Sequence, residues 1–308
     1  MIRRLKMAYM LFNLFNKRKL IHNARFYKSL GLRKWYFSSI SSKDFISANK
    51  KLLKTNENFI VTQQTTLFKE SDSNSQNSIS NFDTEGYAII SKYLDNDTIA
   101  EINNEIESLI ETKKVKLKYG NKIVFAIHKS ALLKQIGNDH KLTELLSSLL
   151  GGKVKLFQSI NFLHGSEQKT HSDSIHMTTF PLGGLLGVWI ALEDIDMDNG
   201  PLHYYPKSHT LPYYLNSDYN NEGNYFLIGD KDYREYEKMI EKKLIEHNMQ
   251  KKVFTAKKGD LLIWHANLFH GGEPHLNRSK TRKSMVFHYF NENSICYHEI
   301  SQRPALIN

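Results

Sequence analysis

Residues 154–162 read VKLFQSINF, and their spacing decides the fold class. Val154, Leu156, Ile160 and Phe162 recur at even intervals, which predicts one apolar face of an extended strand with Gln158 set among them. A polar side chain on such a face needs a partner, either a neighbouring backbone group or a bound molecule. Downstream, GVWIAL (187–192), residues 202–205, DLLIWH (260–265) and SMVFHYF (284–290) are further strand-like runs separated by Gly, Pro, Asn and Asp. Many short strands divided by such turns predict a β-sandwich or jelly roll.

Upstream the period changes. YAII (87–90) reads as a short buried strand. Thr98 and Glu101 have capping-box spacing ahead of Ile99, Ile102, Ile106, Leu109 and Ile110, which predicts an amphipathic helix. Leu142 to Leu150 is a second helical stretch, closed by Gly151 and Gly152. The class is therefore α+β, with helices ahead of the strands. Residues 61–82, rich in Ser, Asn, Gln and Thr, read as a linker or mobile loop. In the charged stretch 230–252, Tyr233, Tyr236, Met239, Ile240 and Leu244 lie at helical spacing and predict a helical insertion or lid. Three parts follow: a basic amphipathic segment (1–60), a polar linker (61–82) and a main domain (83–308).

The chain has 308 residues and a formal charge of +10, which is unevenly placed. Residues 1–43 hold eleven of the 42 Lys and Arg and no Asp or Glu, leaving 31 basic against 32 acidic residues in the remainder. A near-neutral main domain argues against a nucleic-acid partner. The apolar run Met7 to Phe15 is about half the roughly 20 residues that a membrane-spanning helix needs. Lys17, Arg18 and Lys19 follow where a signal peptide would have small residues. Three expectations stay open for residues 1–43: peripheral contact with an anionic membrane, an organellar transit peptide in a eukaryotic host, or a basic helix packed on its own domain. The single cysteine, Cys296, fits a reducing, cytoplasmic setting. It also means that any metal must be held by His and carboxylate.

His171 and Asp173 stand two apart in THSDS (170–174), so on an extended strand both side chains point to one side. An H-x-D triplet alone is weak. Two His and one carboxylate leave open positions on an octahedral iron, where a bidentate oxoacid and O₂ bind together. GDLLIWHANLFHGG (259–272) offers His265 and His270 as the third ligand. Arg282 and Ser284, two apart in TRKSMVFHYF (281–290), share a strand face from which guanidinium and hydroxyl reach one carboxylate.

With these elements the sequence resembles the phytanoyl-CoA dioxygenase family of Fe(II)- and 2-oxoglutarate-dependent oxygenases over roughly residues 82–292. The most specific stretches are HSD (171–173), VWIALEDID (188–196) with NGPLHYYPKSH (199–209), and GDLLIWHANLFHGG with RKSMVFHY (282–289). The resemblance implies a double-stranded β-helix (cupin-like) core, with His171, Asp173 and His270 as iron ligands. It implies Arg282 as the 2-oxoglutarate clamp and Trp189 as a wall of the co-substrate pocket; Ser284 and Gln158 are further candidates for co-substrate contact. The implied reaction consumes 2-oxoglutarate and O₂, releases succinate and CO₂ and hydroxylates an unactivated C–H bond of a small molecule, with ascorbate as a stimulant; the basic amphipathic N-terminus adds the expectation of a lipid- or glycan-linked substrate handled near a membrane. Two departures stand out. Lys207 replaces the glycine of the family's PGSH loop, and the long His270–Arg282 spacing leaves Arg278 as an alternative clamp. A metal hydrolase on the same ligands and a catalytically silent membrane-associated binding protein are the competing functions. His176, five residues after His171, is a candidate for substrate contact, whereas His203, His209 and His288 read as structural.

Overall fold

The structure is a computed structural model and describes residues 4–48, 60–118 and 122–307. Residues 1–3 and 49–59, which belong to the basic N-terminal segment, lie outside the described residues. In chain order the first helices are α1 (Lys6–Leu14), α2 (Lys17–Tyr27), α3 (Thr66–Glu70), α4 (Ser73–Ser80) and α5 (Phe82–Glu85). Strand β1 (Tyr87–Ile90) follows, then α6 (Asn96–Glu111), β2 (Lys122–Val124), α7 (Ala131–Gly137), α8 (His140–Leu150) and β3 (Val154–Phe162). The remaining elements are β4 (Thr178–Phe180), β5 (Leu185–Ala191), β6 (Leu202–Tyr204), α9 (Tyr233–Glu246), β7 (Lys252–Phe254), β8 (Leu261–His265), β9 (His270–Gly272), β10 (Ser284–Asn291), β11 (Ile295–His298) and β12 (Arg303–Pro304).

Six strands pair antiparallel in the order β1-β8-β5-β10-β3-β2. Two three-stranded sheets, β7-β6-β9 and β12-β11-β4, complete the β structure among the described residues. Alternation gives the large sheet two apolar faces. Val188, Ile190, Ile263, Phe287 and Tyr289 pack with Ile102, Ile106, Leu145 and Leu146, which α6 and α8 lay over the outer face. Trp189, Leu262, Trp264 and Val286 turn inward to meet Leu202, Tyr204 and Phe254 of the opposing small sheet. A sheet packed on a sheet with helices on one side is the jelly-roll core expected from the sequence.

The expected single face of β3 is corrected by a bulge. The β3–β10 register slips between His288 and Tyr289, which oppose Gln158 and Leu156, so Phe157 is the extra residue. One inserted residue reverses the alternation. Val154 and Leu156 therefore face the helices, while Ile160 and Phe162 face the sandwich interior.

Residues 61–82 are also corrected, from linker to structure. They form α3, α4 and the start of α5, and bury Leu67, Ile79 and Phe82 in the main core. The polar residues that hid this are used locally. Asp72 caps α4 by accepting from the backbone N–H groups of Asn74 and Ser75. The Ser78 and Ser75 hydroxyls accept from the backbone N–H groups of Ile89 (2.8 Å) and Ser91 (3.0 Å), tying the segment to β1 and the residue that follows it. A smaller correction concerns α6, which starts earlier than Thr98 because Asp95 caps it by accepting from the Thr98 N–H at 2.7 Å.

The basic segment packs on the domain through its second half. Tyr27, Leu30, Ile40 and Phe45 join Phe180, Ile295 and Tyr297 in one buried cluster. Asn23 exchanges two hydrogen bonds with the backbone of Cys296, as a neighbouring strand residue would. No described helix is long and apolar enough to cross a membrane.

Candidate metal and co-substrate site

His171 and His270 are brought together by the backbone. They form an isolated antiparallel bridge, each N–H donating to the other's carbonyl at 2.9 Å. Asp173 opens a 3₁₀ turn (Asp173–Ile175), so the H-x-D residues do not lie along one strand as expected. The turn carries the carboxylate back toward both imidazoles. Asp173 Oδ1 lies 4.0 Å from His171 Nε2 and 3.9 Å from His270 Nε2, and all three ligand atoms fall within 4.8 Å of one another. Two bonds of about 2.1 Å to one cation span up to about 4.2 Å, so the trio could hold a first-row metal ion.

The tautomers suit that role. His171 Nδ1 and His270 Nδ1 each lie 2.9 Å from a backbone carbonyl, of Lys169 and Leu268. Each Nδ1–H donates there, which turns the Nε2 lone pair into the cluster. Burial, reinforced by neighbouring His270, lowers the His171 pKa to about 4 and keeps the ring neutral. Burial alone would raise Asp173, but the facing His270, the His288 hydrogen bond and His171 outweigh it and hold the carboxyl well below its usual range. The other carboxylate oxygen, Oδ2, accepts from Trp264 Nε1 at 2.7 Å and lies 3.5 Å from His288 Nε2.

One cavity joins this cluster to Arg282. Ile160, Phe162, Trp189, Leu202 and Val286 form its apolar wall, with Gln168, Trp264 and His288 beside the ligands. Arg282 is 1% exposed, its guanidinium 5.2 Å from the Phe162 ring centre and 5.9 Å from that of Trp189. Its Nη1 donates to Ser284 Oγ at 2.8 Å, which confirms that the two side chains share a face. Burial pushes its pKa down to about 10, with Glu193 opposing, so it stays cationic at neutral pH. Among the described residues no carboxylate pairs with it, and both Arg282 Nε and Trp189 Nε1 are buried without a hydrogen-bond partner. A buried cation with spare donors is costly unless an anion joins it. A dicarboxylate fits: one end at the metal cluster, an apolar middle, the far carboxylate on Arg282.

The other sequence candidates are placed elsewhere. Gln158 stands opposite His288, is half-buried and shares the inward face of Ile160 and Phe162, but the residues that line the cavity from β3 are Ile160 and Phe162. Arg278 is exposed and forms a two-pronged ion pair with Glu167 at 2.9 Å, which removes it as a clamp. His265, the other candidate for the third ligand, packs against His209. Lys207 takes a left-handed conformation (φ +66°), one that glycine adopts without steric cost. Ser208 Oγ accepts from the Phe269 N–H at 2.8 Å, one residue before His270.

Pattern reading missed Trp264 and His288 as partners of Asp173, and Gln168, whose amide nitrogen lies 3.1 Å from His171 Nε2. It also missed the work of α9. Tyr233 bonds His176 at 2.9 Å and Tyr236 lies 3.4 Å from Ser172 Oγ. The α9 helix thus braces the back of the ligand turn, and none of its residues lines the cavity. Gly187 held the one legible signal for Trp264, since a Cβ there would overlap the indole lying across β5.

A profile of the family described as Phytanoyl-CoA dioxygenase (PhyH) matches residues 82–284. Phytanoyl-CoA dioxygenase domain-containing protein 1 of Bos taurus is 36% identical over 97 residues, covering 29% of this chain and 33% of that protein. The homologue in Dictyostelium discoideum is 26% identical over 187 residues, covering 58% and 62%. The chain thus spans about a third of the length of the first curated relatives it matches. Similar solved folds are the non-heme alpha ketoglutarate dependent carbocyclase SnoK (TM-score 0.61, 14% identity, 81% of this chain and 91% of that one) and EctD from S. alaskensis with bound Fe (TM-score 0.54, 19% identity, 70% and 76%). The profile covers most of the chain, the fold is shared and a His-Asp-His cluster sits at the expected place, so this chain belongs to the phytanoyl-CoA dioxygenase family of Fe(II)- and 2-oxoglutarate-dependent oxygenases.

Proposed function

We propose that this protein hydroxylates an unactivated C–H bond of a small-molecule or lipid- or glycan-linked substrate, with succinate and CO₂ as co-products. The observation that carries this is the single cavity in which His171, Asp173 and His270 face a buried, unpaired Arg282. Bound Fe(II), charged with 2-oxoglutarate and O₂, supplies the oxidising chemistry. The chain supplies position. His171, Asp173 and His270 would hold the metal, and the cavity beside them would take the co-substrate. Arg282, braced by Ser284, holds the far carboxylate of 2-oxoglutarate, and Trp189 with Phe162 walls its methylenes and keeps water out. Trp264 and His288 occupy Asp173 Oδ2, leaving Oδ1 for the metal. His176, held by Tyr233 beside His171, steadies the ligand turn from behind.

The test is product analysis by mass spectrometry after a metabolite extract is incubated with protein, Fe(II), ascorbate and 2-oxoglutarate. The expected result is succinate formed with a substrate that gains one oxygen, both lost in His171→Ala and Asp173→Ala. Similar folds include an epimerase and a carbocyclase, so succinate without oxygen gain in the product would replace hydroxylation by another oxidation. Turnover without consumption of O₂ and 2-oxoglutarate would instead identify a metal-dependent hydrolase. The buried, unpaired thiol of Cys296 supports a reducing compartment as the place of action.

A further inference from the structure

Helix α1 is amphipathic the wrong way round. Its inward side carries Lys6, half-buried Tyr9 and Met10, and buried Asn13, whose side chain donates to the Phe37 carbonyl. The outward side carries Met7, Leu11, Leu14 and, just past the helix, Phe15, at intervals of four, three and one residues. These are 62%, 57%, 38% and 91% exposed, with Phe12 beside them at 56%. An apolar stripe at helical spacing normally faces the core, and turning it to water is costly unless something covers it.

The stripe continues beyond both ends of α1. At its start the Lys6 N–H donates to the Phe226 carbonyl, which sets exposed Phe226 and Tyr225 beside Met7. At its end the Tyr36 hydroxyl donates to the Leu14 carbonyl at 3.0 Å, which holds the neighbouring segment, with Trp35 70% exposed and stacked on Phe37, against that end of the helix. Exposed Lys17, Arg18 and Lys28 follow on α2 and just after it, and residues 1–43 contain no acid. The patch therefore joins aliphatic side chains, aromatic flanks and positive charge, the three features that seat a helix in the headgroup layer of an anionic bilayer.

We infer that the outward face of α1, flanked by Phe226 and Trp35, docks the protein on an anionic phospholipid surface with the helix lying in the plane of the interface. This is independent of the substrate. Charge complementarity selects lipid over an apolar partner of neutral surface, and the nine-residue helix is too short to span a bilayer.

Truncation is a poor test because Leu20, Tyr27 and Leu30 belong to the core. The full chain is instead sedimented with vesicles of phosphatidylcholine alone or with about a third phosphatidylserine, at low salt and near 1 M salt. Wild type should pellet with the anionic vesicles, stay in solution with the neutral ones, and be released by salt. Leu11→Asp with Phe15→Asp, and separately Lys17→Glu with Arg18→Glu, should each weaken binding by at least about tenfold. Circular dichroism and the thermal midpoint should not change, because all four side chains are exposed. Wild type that ignores anionic vesicles, or binds neutral ones equally, overturns the proposal, as does unchanged binding by either double variant. A wild-type dimer that Leu11→Asp with Phe15→Asp converts to monomer, without vesicle binding, overturns it in favour of a second copy of the chain.

Discussion

Trp264 Nε1 donates to Oδ2 of Asp173 at 2.7 Å, from β8 of the large sheet to the turn that carries the metal-facing carboxylate. The bond fixes which oxygen faces the two histidines. It also orients a ring whose centre lies 4.8 Å from that of His270, tilted by 45°, so one indole touches two of the three ligand residues. Trp264→Phe keeps most of the ring and removes the donor. Metal affinity, titrated with Co(II) under nitrogen, should fall by about 10–100-fold, as for other outer partners of metal ligands. Unchanged affinity would mean that the carboxylate is held by His288 alone.

Arg282 separates co-substrate binding from metal binding. Arg282→Gln keeps a polar end against Ser284 but removes the charge and the planar fork. With two charge-assisted hydrogen bonds lost at about 1.5 kcal/mol each, the 2-oxoglutarate dissociation constant should rise by on the order of 100-fold. Co(II) affinity should stay as in wild type, because the guanidinium bonds to no ligand residue. The substrate-free protein should be no less stable, since a buried unpaired charge is removed. Equilibrium dialysis of labelled 2-oxoglutarate and a thermal melt check both halves.

Much of this site was legible because its chemistry needs particular residue types in fixed places. His171, Asp173 and His270 cluster, Arg282 and Trp189 line the same cavity and Ser284 bonds Arg282, although Asp173 reaches the cluster from a turn and not from the strand that the spacing predicted. The single apolar face read for β3 failed because one inserted residue, Phe157, turns Val154 and Leu156 to the opposite face from Ile160 and Phe162, and a bulge leaves no mark in apolar periodicity. Residues 61–82 failed because Ser and Asn suit loops and caps equally, and only the position of β1 shows that Ser75 and Ser78 bond its backbone and the residue beyond. His288 was unreadable for a different reason: a histidine on a buried strand acquires its role from whatever faces it, here Asp173.

If residues 61–82 are part of the core, removing one of their apolar anchors must be felt globally. Ile79 is 1% exposed and packs with the main cluster. Ile79→Ala should lower unfolding stability by about 2–5 kcal/mol, read as a lower urea midpoint at constant slope. A tether would tolerate the change within about 0.5 kcal/mol.

Acid should destabilise the protein through histidines buried in neutral form. Burial, aided by neighbouring His171, lowers the His176 pKa to about 3; burial with His209 lowers His265 to about 4, and burial with Arg303 lowers His298 to about 4. The unfolded chain binds a proton at each near pH 6.5, well before the native protein does. Their contribution to stability is therefore fully present above about pH 6.5 and is lost as pH falls toward the native values. Stability should decline between pH 7 and pH 5 by on the order of 1 kcal/mol for each such histidine. His265→Asn is the diagnostic variant. Its side-chain oxygen can replace Nδ1 as acceptor for the Asn267 N–H, a 3.1 Å bond in the native protein, but it does not titrate. Urea midpoints at the two pH values should show a smaller drop for this variant than for wild type. Equal drops would place the acid-sensitive groups elsewhere, among the other buried histidines, because carboxylates do not take up protons between pH 7 and pH 5.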